Sequence, residues 1–372
     1  MGVVKLGDVA RESRLKWTKS KQDVPIVGLE HLIPDEIRFD AYDINTDNTF
    51  SKRFVKGQVL FGRRRAYQRK AAIAEFDGIC SGDITVIEAI EGKMVPELLP
   101  FIIQTPVFFD YANRGSAGSL SPRVKWEHLA DYEFELPPLE EQKILADKLW
   151  AAYRLKEAYK KLLVATDEMV KSQFIEMFGN CKSQGTLSSL CATFIDGDWI
   201  ESKDQSDNGI RLIQTGNVGF GFFKGREDKS RYITEETFKK LNCTEVVPGD
   251  ILISRLPDPI GRACIVPEGI GKAITAVDCT IVRLNATLLP EFLISFSKTA
   301  LYASQINKIK TGTTRLRVSR GNLGNVIIPI PPIESQHHFA AIAQQADKSK
   351  SVIQKALVYL NDIQSDELRK IA

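Results

Sequence analysis

The stretch Leu136-Pro137-Pro138-Leu139-Glu140-Glu141-Gln142 returns 194 residues later as Ile330-Pro331-Pro332-Ile333-Glu334-Ser335-Gln336. Three further pairs keep the same order. Gly118-Ser119-Leu120-Ser121-Pro122-Arg123-Val124 answers Gly312-Thr313-Thr314-Arg315-Leu316-Arg317-Val318 at the same offset. Val55-Lys56-Gly57-Gln58-Val59-Leu60-Phe61 answers Val247-Pro248-Gly249-Asp250-Ile251-Leu252-Ile253 at 192, and Leu6-Gly7-Asp8-Val9 answers Leu187-Ser188-Ser189-Leu190 at 181. Four matches in one order rule out chance. Whatever fold is adopted must be built twice from a unit of about 180–190 residues, which suits a chain of 372.

Each copy opens with a Gly-rich, β-leaning region. Val59-Leu60-Phe61 and Ile251-Leu252-Ile253 read as short buried strands after a turn at Gly57 or Pro248-Gly249, and Ile84–Ile87 and Thr280–Val282 as further strands. Phe101–Tyr111 and Phe292–Tyr302 read as helices, the first interrupted or capped at Pro106. The pattern then changes. After Pro137-Pro138 a long helix is expected, with Glu140 and Glu141 placed where the helix dipole favours acids and Gly179-Asn180 as its stop. Leu145, Leu149, Ala152, Leu155, Tyr159, Leu162, Thr166 and Met169 recur at spacings of three and four, and Ile342, Ala346, Ser349, Ile353, Ala356, Leu360 and Ile363 do so in the second copy. Forty residues at ~1.5 Å rise make a rod of roughly 60 Å. So narrow an apolar stripe cannot stabilise a lone helix, so the two rods are expected to pack together and hold two heads apart. The expected class is α+β, with segment boundaries at 1–137 (head), 138–180 (helix), 181–331 (head) and 332–372 (helix).

Fifty Lys and Arg against 47 Asp and Glu give a net charge of only +3, which excludes a polycation but hides a segregation. Residues 48–74 hold Lys52, Arg53, Lys56, Arg63, Arg64, Arg65, Arg69 and Lys70 and no acid; residues 292–333 hold Lys298, Lys308, Lys310, Arg315, Arg317 and Arg320 and no acid. Phosphate is the natural partner of such stretches, because guanidinium forks bind its oxygens bidentately and ammonium groups add point charge. Gly62 before the arginine triplet, and Gly312-Thr313-Thr314 before Arg315, add backbone N–H and hydroxyl donors. A strand period would put Arg315 and Arg317 on one face. The candidate DNA contacts are Arg63, Arg64, Arg65, Tyr67, Lys70, Arg123, Lys125, Arg255, Lys310, Thr313, Thr314, Arg315, Arg317 and Arg320, with Tyr67, Gln68, Gln214, Asn217 and Arg255 as candidates for reading base edges. The candidate helix and partner interface is Leu149, Leu155, Tyr159, Leu162, Met169, Ile342, Ile353, Leu360 and Ile363.

Catalytic signatures are missing. The sequence has no Asn-Pro-Pro-aromatic tetrapeptide, no phosphate loop (Gly271-Lys272 runs into Ala273), no dinucleotide fingerprint at Gly219-Phe220-Gly221, no G-x-S-x-G elbow and no H-E-x-x-H. Asp83 and Glu88 near Lys93 read as surface groups rather than a nuclease metal site. Six scattered cysteines without a C-x-x-C pair, and four histidines of which only His337 and His338 are neighbours, offer no zinc set, so no metal is expected. Reduced thiols, the lack of an apolar leader and the lack of a run near the ~20 apolar residues of a membrane span give the expectation of a cytoplasmic protein away from membranes.

The duplicated P-P-[LI]-E-x-Q junction, the Gly312–Ser319 stretch and the turn-strand Pro248-Gly249-Asp250-Ile251-Leu252-Ile253-Ser254 resemble the specificity subunit of type I restriction–modification systems, along essentially the whole chain. The first copy departs from the second at Phe61-Gly62-Arg63 and Ser121-Pro122-Arg123. The resemblance implies two target-recognition domains of mixed α/β structure, separated by two conserved helices that pack as an antiparallel coiled coil, with a pseudo-twofold internal repeat. It also implies a non-catalytic subunit that binds double-stranded DNA at a bipartite, asymmetric target. Its implied partners are two modification (methyltransferase) subunits, which hold S-adenosylmethionine, and restriction (translocase–nuclease) subunits; the chain itself would hold no cofactor. The competing readings are a stand-alone DNA methyltransferase or nuclease and a purely structural coiled-coil scaffold.

Overall fold

A computed structural model of the chain describes residues 2–371, which form two compact units. One takes the chain up to Lys161 and again from Ile353; the other takes Leu162–Val352. Both are α+β.

The first unit contains β1 (Gly2–Lys5), α1 (Leu6–Val9), β2 (Ala10–Glu12), β3 (Ile26–Val27), β4 (Lys52–Phe54), β5 (Val59–Gly62), β6 (Ala71–Ile73), β7 (Gly78–Cys80), β8 (Ile84–Ala89), α2 (Leu99–Ile103), α3 (Pro106–Arg114), α4 (Trp126–Ala130) and β9 (Glu133–Leu136). Strands β1 and β9 pair antiparallel, and β2-β8-β5-β6 form an antiparallel sheet. A smaller sheet sets β3 parallel to β7 and β4 antiparallel to β7. The long helix α5 (Leu139–Phe178) then begins, and its first half belongs to this unit.

The second unit repeats the plan with β10 (Gln184–Thr186), β11 (Cys191–Asp196), β12 (Ile210–Ile213), β13 (Tyr232–Ile233), α6 (Glu235–Lys240), β14 (Ile251–Ser254), β15 (Ala263–Ile265), β16 (Ala273–Thr275), β17 (Cys279–Leu284), α7 (Pro290–Ser297), α8 (Ala300–Ile309), α9 (Arg320–Gly324) and β18 (Ile327–Pro329), followed by the helix α10 (Ile333–Arg369). Strands β10 and β18 pair as β1 and β9 do, and β11-β17-β14-β15 matches β2-β8-β5-β6 strand for strand. The smaller sheets also agree. The first has order β3-β7-β4, with an isolated bridge Ile26–Asp43 on its other edge; the second has order β13-β12-β16, with an isolated bridge Val246–Ala273 on its other edge. Both are therefore the same four-line sheet, each worn down to a single bridge at the opposite margin.

The expected buried strands are present: Val59–Gly62 and Ile251–Ser254 are buried at every residue. Gly57 and Gly249 turn the chain into them at φ +90° and +89°, a region that glycine adopts without strain and where nothing crowds a Cβ. The helix expected over Phe101–Tyr111 is two helices, broken at Gln104-Thr105. The one expected over Phe292–Tyr302 is likewise α7 and α8, although no proline stands at 300. A threonine makes both breaks. Buried Thr105 accepts from Phe108 N at 3.2 Å and donates to Ile102 O at 2.8 Å; Thr299 accepts from Tyr302 N at 3.2 Å and donates to Phe296 O at 2.8 Å. Each thus closes one helix and caps the next.

Inside each unit α5 and α10 run antiparallel. In the first, Lys156 Nζ donates to Gln364 Oε1 at 3.0 Å, and Leu368 and Ile371 join the head's core with Leu145, Leu149 and Trp150. In the second, Lys350 pairs with Asp167 at 2.9 Å, while Phe174 and Phe178 stack edgewise on Phe339. The face turned inward differs from the heptad expectation. Leu149 is buried and Tyr159 half-buried, but Leu155, Leu162 (48% exposed) and Met169 (49% exposed) face outward; inward positions run Ala152, Lys156, Tyr159, Leu163, Thr166, Val170, Phe174. The inward residues keep the seven-residue repeat, with Ala152, Tyr159 and Thr166 among them, but the second position of each repeat lies four residues on (Lys156, Leu163, Val170) rather than three (Leu155, Leu162, Met169). On α10, Ile353 is buried, Ile342 and Leu360 are half-buried, and Ile363 is exposed.

Candidate nucleic-acid interface

In both heads the segment leaving the central strand meets the loop that follows the helix pair. The loops close with one backbone pair each: Ala117 and Arg123 exchange N–H···O bonds of 3.0 and 2.9 Å, Thr311 and Arg317 bonds of 2.9 Å. Gly118 and Gly312 enter them at φ +118° and +102°. Val124 N then donates to Arg63 O at 3.0 Å, and Val318 N to Arg255 O at 3.2 Å, so each loop is stitched to the end of β5 or β14. Gly312–Arg317 is exposed throughout and is a turn rather than a strand, so alternation does not align Arg315 with Arg317: Arg315 lies within the turn and Arg317 at its base.

The structure gathers Arg63, Arg64, Arg65, Tyr67 and Arg123 in the first head. Arg65 N donates to Pro122 O at 2.8 Å, Arg65 Nη2 to Leu120 O at 3.4 Å, and Tyr67 is exposed in the short turn that follows. Lys125 is exposed one residue past Val124, at the N-cap of α4. In the second head Thr313, Thr314, Arg315, Arg317 and Arg320 are exposed together, and none of these arginines has a carboxylate at ion-pair distance among the described residues. Other candidates are spent inside the fold. Lys70 Nζ donates to Leu29 O at 2.7 Å, and Lys310 Nζ lies 2.5 Å from Asp258. Half-buried Arg255 donates to Val318 O and Val277 O and lies 3.2 Å from Asp196, which makes it a clamp on the loop base. Asn217, a candidate base reader, is buried: its Nδ2 donates to Lys224 O and Gly225 O while its Oδ1 accepts from Gln214 N. Gln68 is half-buried and Gln214 half-buried.

The acid-free stretches are also less bare in space than in sequence. Lys52, Arg53, Arg64 and Arg69 pair with Glu12, Asp77, Asp83 and Asp35, acids from other parts of the first unit. In 292–333 only Lys310 is so paired among the described residues. The second head thus presents the less compensated positive surface.

Two buried glutamines escape notice in the sequence except as motif letters. Gln142 Oε1 accepts from Val95 N at 2.9 Å and its Nε2 donates to Pro137 O at 2.8 Å and Lys93 O at 3.4 Å. Gln336 repeats this with Leu289 N (2.8 Å), Pro331 O (2.9 Å) and Thr287 O (2.9 Å). The proline-rich junction therefore anchors each long helix to its head.

Asp83 and Glu88 are each engaged by other side chains. Asp83 is held by arginines, and Glu88 accepts from Arg11 at 2.7 Å and from Gln58 at 2.5 Å. Glu30, His31 and Asp43 do bring ligand atoms within 4.8 Å of one another. Gly28 N donates to His31 Nδ1 at 2.9 Å, so the proton sits on Nε2, the nitrogen that faces Asp43 at 3.7 Å; this tautomer opposes metal ligation there. Burial pushes the thiols of Cys80, Cys264 and Cys279 up to about 12, far from a nucleophile's range. Among the described residues no helix is long and apolar enough to cross a membrane.

The family model described as the type I restriction modification DNA specificity domain matches this chain twice, over residues 1–163 and 185–358. The type I restriction enzyme EcoDI specificity subunit of Escherichia coli is 32% identical over 89 residues, 24% of this chain and 19% of that protein. The EcoBI specificity subunit of the same species is 23% identical over 301 residues, 71% of this chain and 63% of its own length. The chain thus spans less than two thirds of either relative. A putative type I restriction enzyme MjaX specificity subunit of Methanocaldococcus jannaschii is 20% identical over 375 residues, covering 92% of this chain and 86% of that one. Two solved structures share the fold: the S subunit of a type I restriction-modification system from M. genitalium (TM-score 0.62, 11% identity, 99% and 95% of the two chains) and a chain from work on complex assembly and conformational transition of a type I R-M system (TM-score 0.60, 19% identity, 99% and 96%).

Proposed function

Because the chain belongs to the type I restriction modification DNA specificity family, we propose that it is the non-catalytic subunit that selects the DNA target of such a system. Each head reads one half of a bipartite, asymmetric site on double-stranded DNA, and α5 with α10 sets the gap between the halves. The observation that carries this reading is the duplicated loop, Ala117–Arg123 and Thr311–Arg317, stitched at the same place to the same strand of each head and bearing arginine in both. Arginines on an exposed turn suit phosphate and guanine edges, whereas different side chains on equivalent loops suit different half-sites.

Two methyltransferase subunits supply S-adenosylmethionine and the transfer to adenine, and restriction subunits join them. The outward apolar side chains Leu155, Leu162 and Met169 on α5 are the residues that would receive such a partner, since each is 42–49% exposed.

Co-expression with the methyltransferase subunit of the same system, followed by mapping of methylated adenines in genomic DNA, tests the reading. A single bipartite motif with a fixed gap is expected, and its loss when this chain is omitted. Methylation without this chain, or methylation or cleavage by this chain alone, would overturn it.

A further inference from the structure

The two loops are alike in backbone and differ in whether their arginines are paired with a carboxylate. In the first head the Asp83 carboxylate lies between two guanidinium groups: Arg123 Nε donates to Oδ1 at 2.7 Å and Nη2 to Oδ2 at 3.3 Å, while Arg64 Nη1 reaches Oδ2 at 3.4 Å. Arg64 Nη2 also donates to Ser121 Oγ at 3.0 Å. The second head has the same frame, since Arg63 N donates to Asp83 O and Arg255 N to Asp278 O, each at 2.9 Å. Yet Leu256 stands where Arg64 is and Arg315 where Ser121 is. The arginine has moved from the strand end to the turn. Neither Asp278 nor Arg317 makes an ion pair among the described residues.

We propose that Asp83 is an internal counter-ion that competes with DNA phosphate for Arg64 and Arg123, so that the first head grips backbone only when its other contacts offset breaking the pair, while Arg315 and Arg317 of the second head meet phosphate directly. This rests on the DNA-binding reading above. The edge that Arg123 gives to Asp83, Nε with one Nη, is a fork that takes two phosphate oxygens side-on. It cannot serve both. A phosphate bound there with Asp83 in place would also lie beside a carboxylate that both arginines hold ionised, a like-charge contact in a partly buried setting. Random sequence supplies few contacts to set against that cost, and the correct half-site supplies more. Asp83 thus lowers non-specific binding further than specific binding, which is the repulsive half of a specificity device.

The test is binding of the full chain to a random-sequence duplex across a salt series. Asp83→Asn should bind several-fold more tightly at low salt, with a salt slope steeper by ~0.9 for each phosphate contact released. Asp278→Asn, altering a carboxylate with no ion-pair partner among the described residues, should leave both unchanged. Asp83→Asn binding at wild-type strength or below, with an unchanged slope, would overturn the proposal in favour of a positioning brace. Should that variant not fold, Arg123→Gln and Arg317→Gln decide. The first should barely alter the slope because its arginine is already engaged, and the second should flatten it by about one contact. Equal flattening would overturn the proposal. A wild-type chain that binds no duplex at all removes the DNA-binding reading, and this inference with it; wild-type binding with no gain in Asp83→Asn removes this inference alone.

Discussion

Gln142 and Gln336, 194 residues apart, make the same three hydrogen bonds: one from the backbone N–H just before the helix pair, one to the carbonyl of the proline five residues back, and one to the chain just upstream of that N–H. Both are buried, at 2% and 0% exposure, so neither amide has water to fall back on. Replacing Gln336 by Leu should strand Leu289 N–H and two carbonyls and cost about 2–4 kcal/mol. Urea unfolding should locate that loss in Leu162–Val352, with Gln142→Leu acting on the other unit; a loss below the scatter of surface substitutions would show that the amide is not an anchor.

The two sides of α5 should respond oppositely to charge. Val170→Asp places an unpaired carboxylate on the packed face and should destabilise the fold by about 2–4 kcal/mol. Met169→Asp, one residue away but facing outward, should leave the thermal midpoint near wild type and weaken capture of the methyltransferase subunit instead. A stable Val170→Asp protein, or a Met169→Asp protein that binds its partner normally, would contradict the assignment of faces.

Arg315→Ala with Arg317→Ala should weaken duplex binding and flatten its salt slope by ~0.9 per lost phosphate contact. A filter-binding or anisotropy series between low and moderate salt reads both quantities. An unaltered slope removes this loop from the interface.

Acid titration offers a separate check on the first head. Hydrogen bonds from Arg123, with the charges of Arg123 and Arg64, hold the Asp83 carboxyl below its usual range. Its folded-state pKa is therefore the lower one, so its contribution to stability is complete above the unfolded value of ~4 and disappears as pH falls through the folded value. The stability difference between wild type and Asp83→Asn should be flat near neutrality and shrink only below about pH 4. A difference that changes between pH 6 and 8 would point to another group.

The gap between half-sites should respond to helix length alone. Adding four residues near Val164, about one helical turn, should alter the accepted gap and preserve both half-sites, whereas exchanging residues 1–137 for another head should alter one half-site only. Methylome mapping distinguishes the two results, and a helix insertion that changes a half-site would refute the division into heads and spacer.

Much of the architecture was legible because it is local and repeated. Buried runs such as Ile251-Leu252-Ile253, the prolines before α5 and α10, and the offsets between copies are all short-range signals, and the structure has an element at each. What escaped depended on pairing at long range or on angle. The basic stretch 48–74 looked uncompensated because Glu12, Asp35, Asp77 and Asp83 lie outside it in sequence and beside it in space. Half of the inward face of α5 was missed by one residue because both Leu155, Leu162, Met169 and their neighbours Lys156, Leu163, Val170 keep a seven-residue repeat with Ala152, Tyr159 and Thr166, and apolar character alone favours the outward set. Arg255 and Asn217 carry the right chemistry for DNA but spend it on backbone carbonyls, which residue type alone does not reveal.

Leu368 and Ile371 complete the core of the first unit, although all of Leu162–Val352 lies between them and the rest of that unit. The order in which the units can be completed therefore reverses the order of synthesis. On the ribosome the unit begun first must wait, with Leu145, Leu149 and Trp150 only partly covered, until the other has been translated from end to end. The unit begun second is continuous in sequence and can close as soon as it emerges. Chains stalled at increasing lengths should accordingly gain protease resistance in Leu162–Val352 before they gain it in residues 2–161.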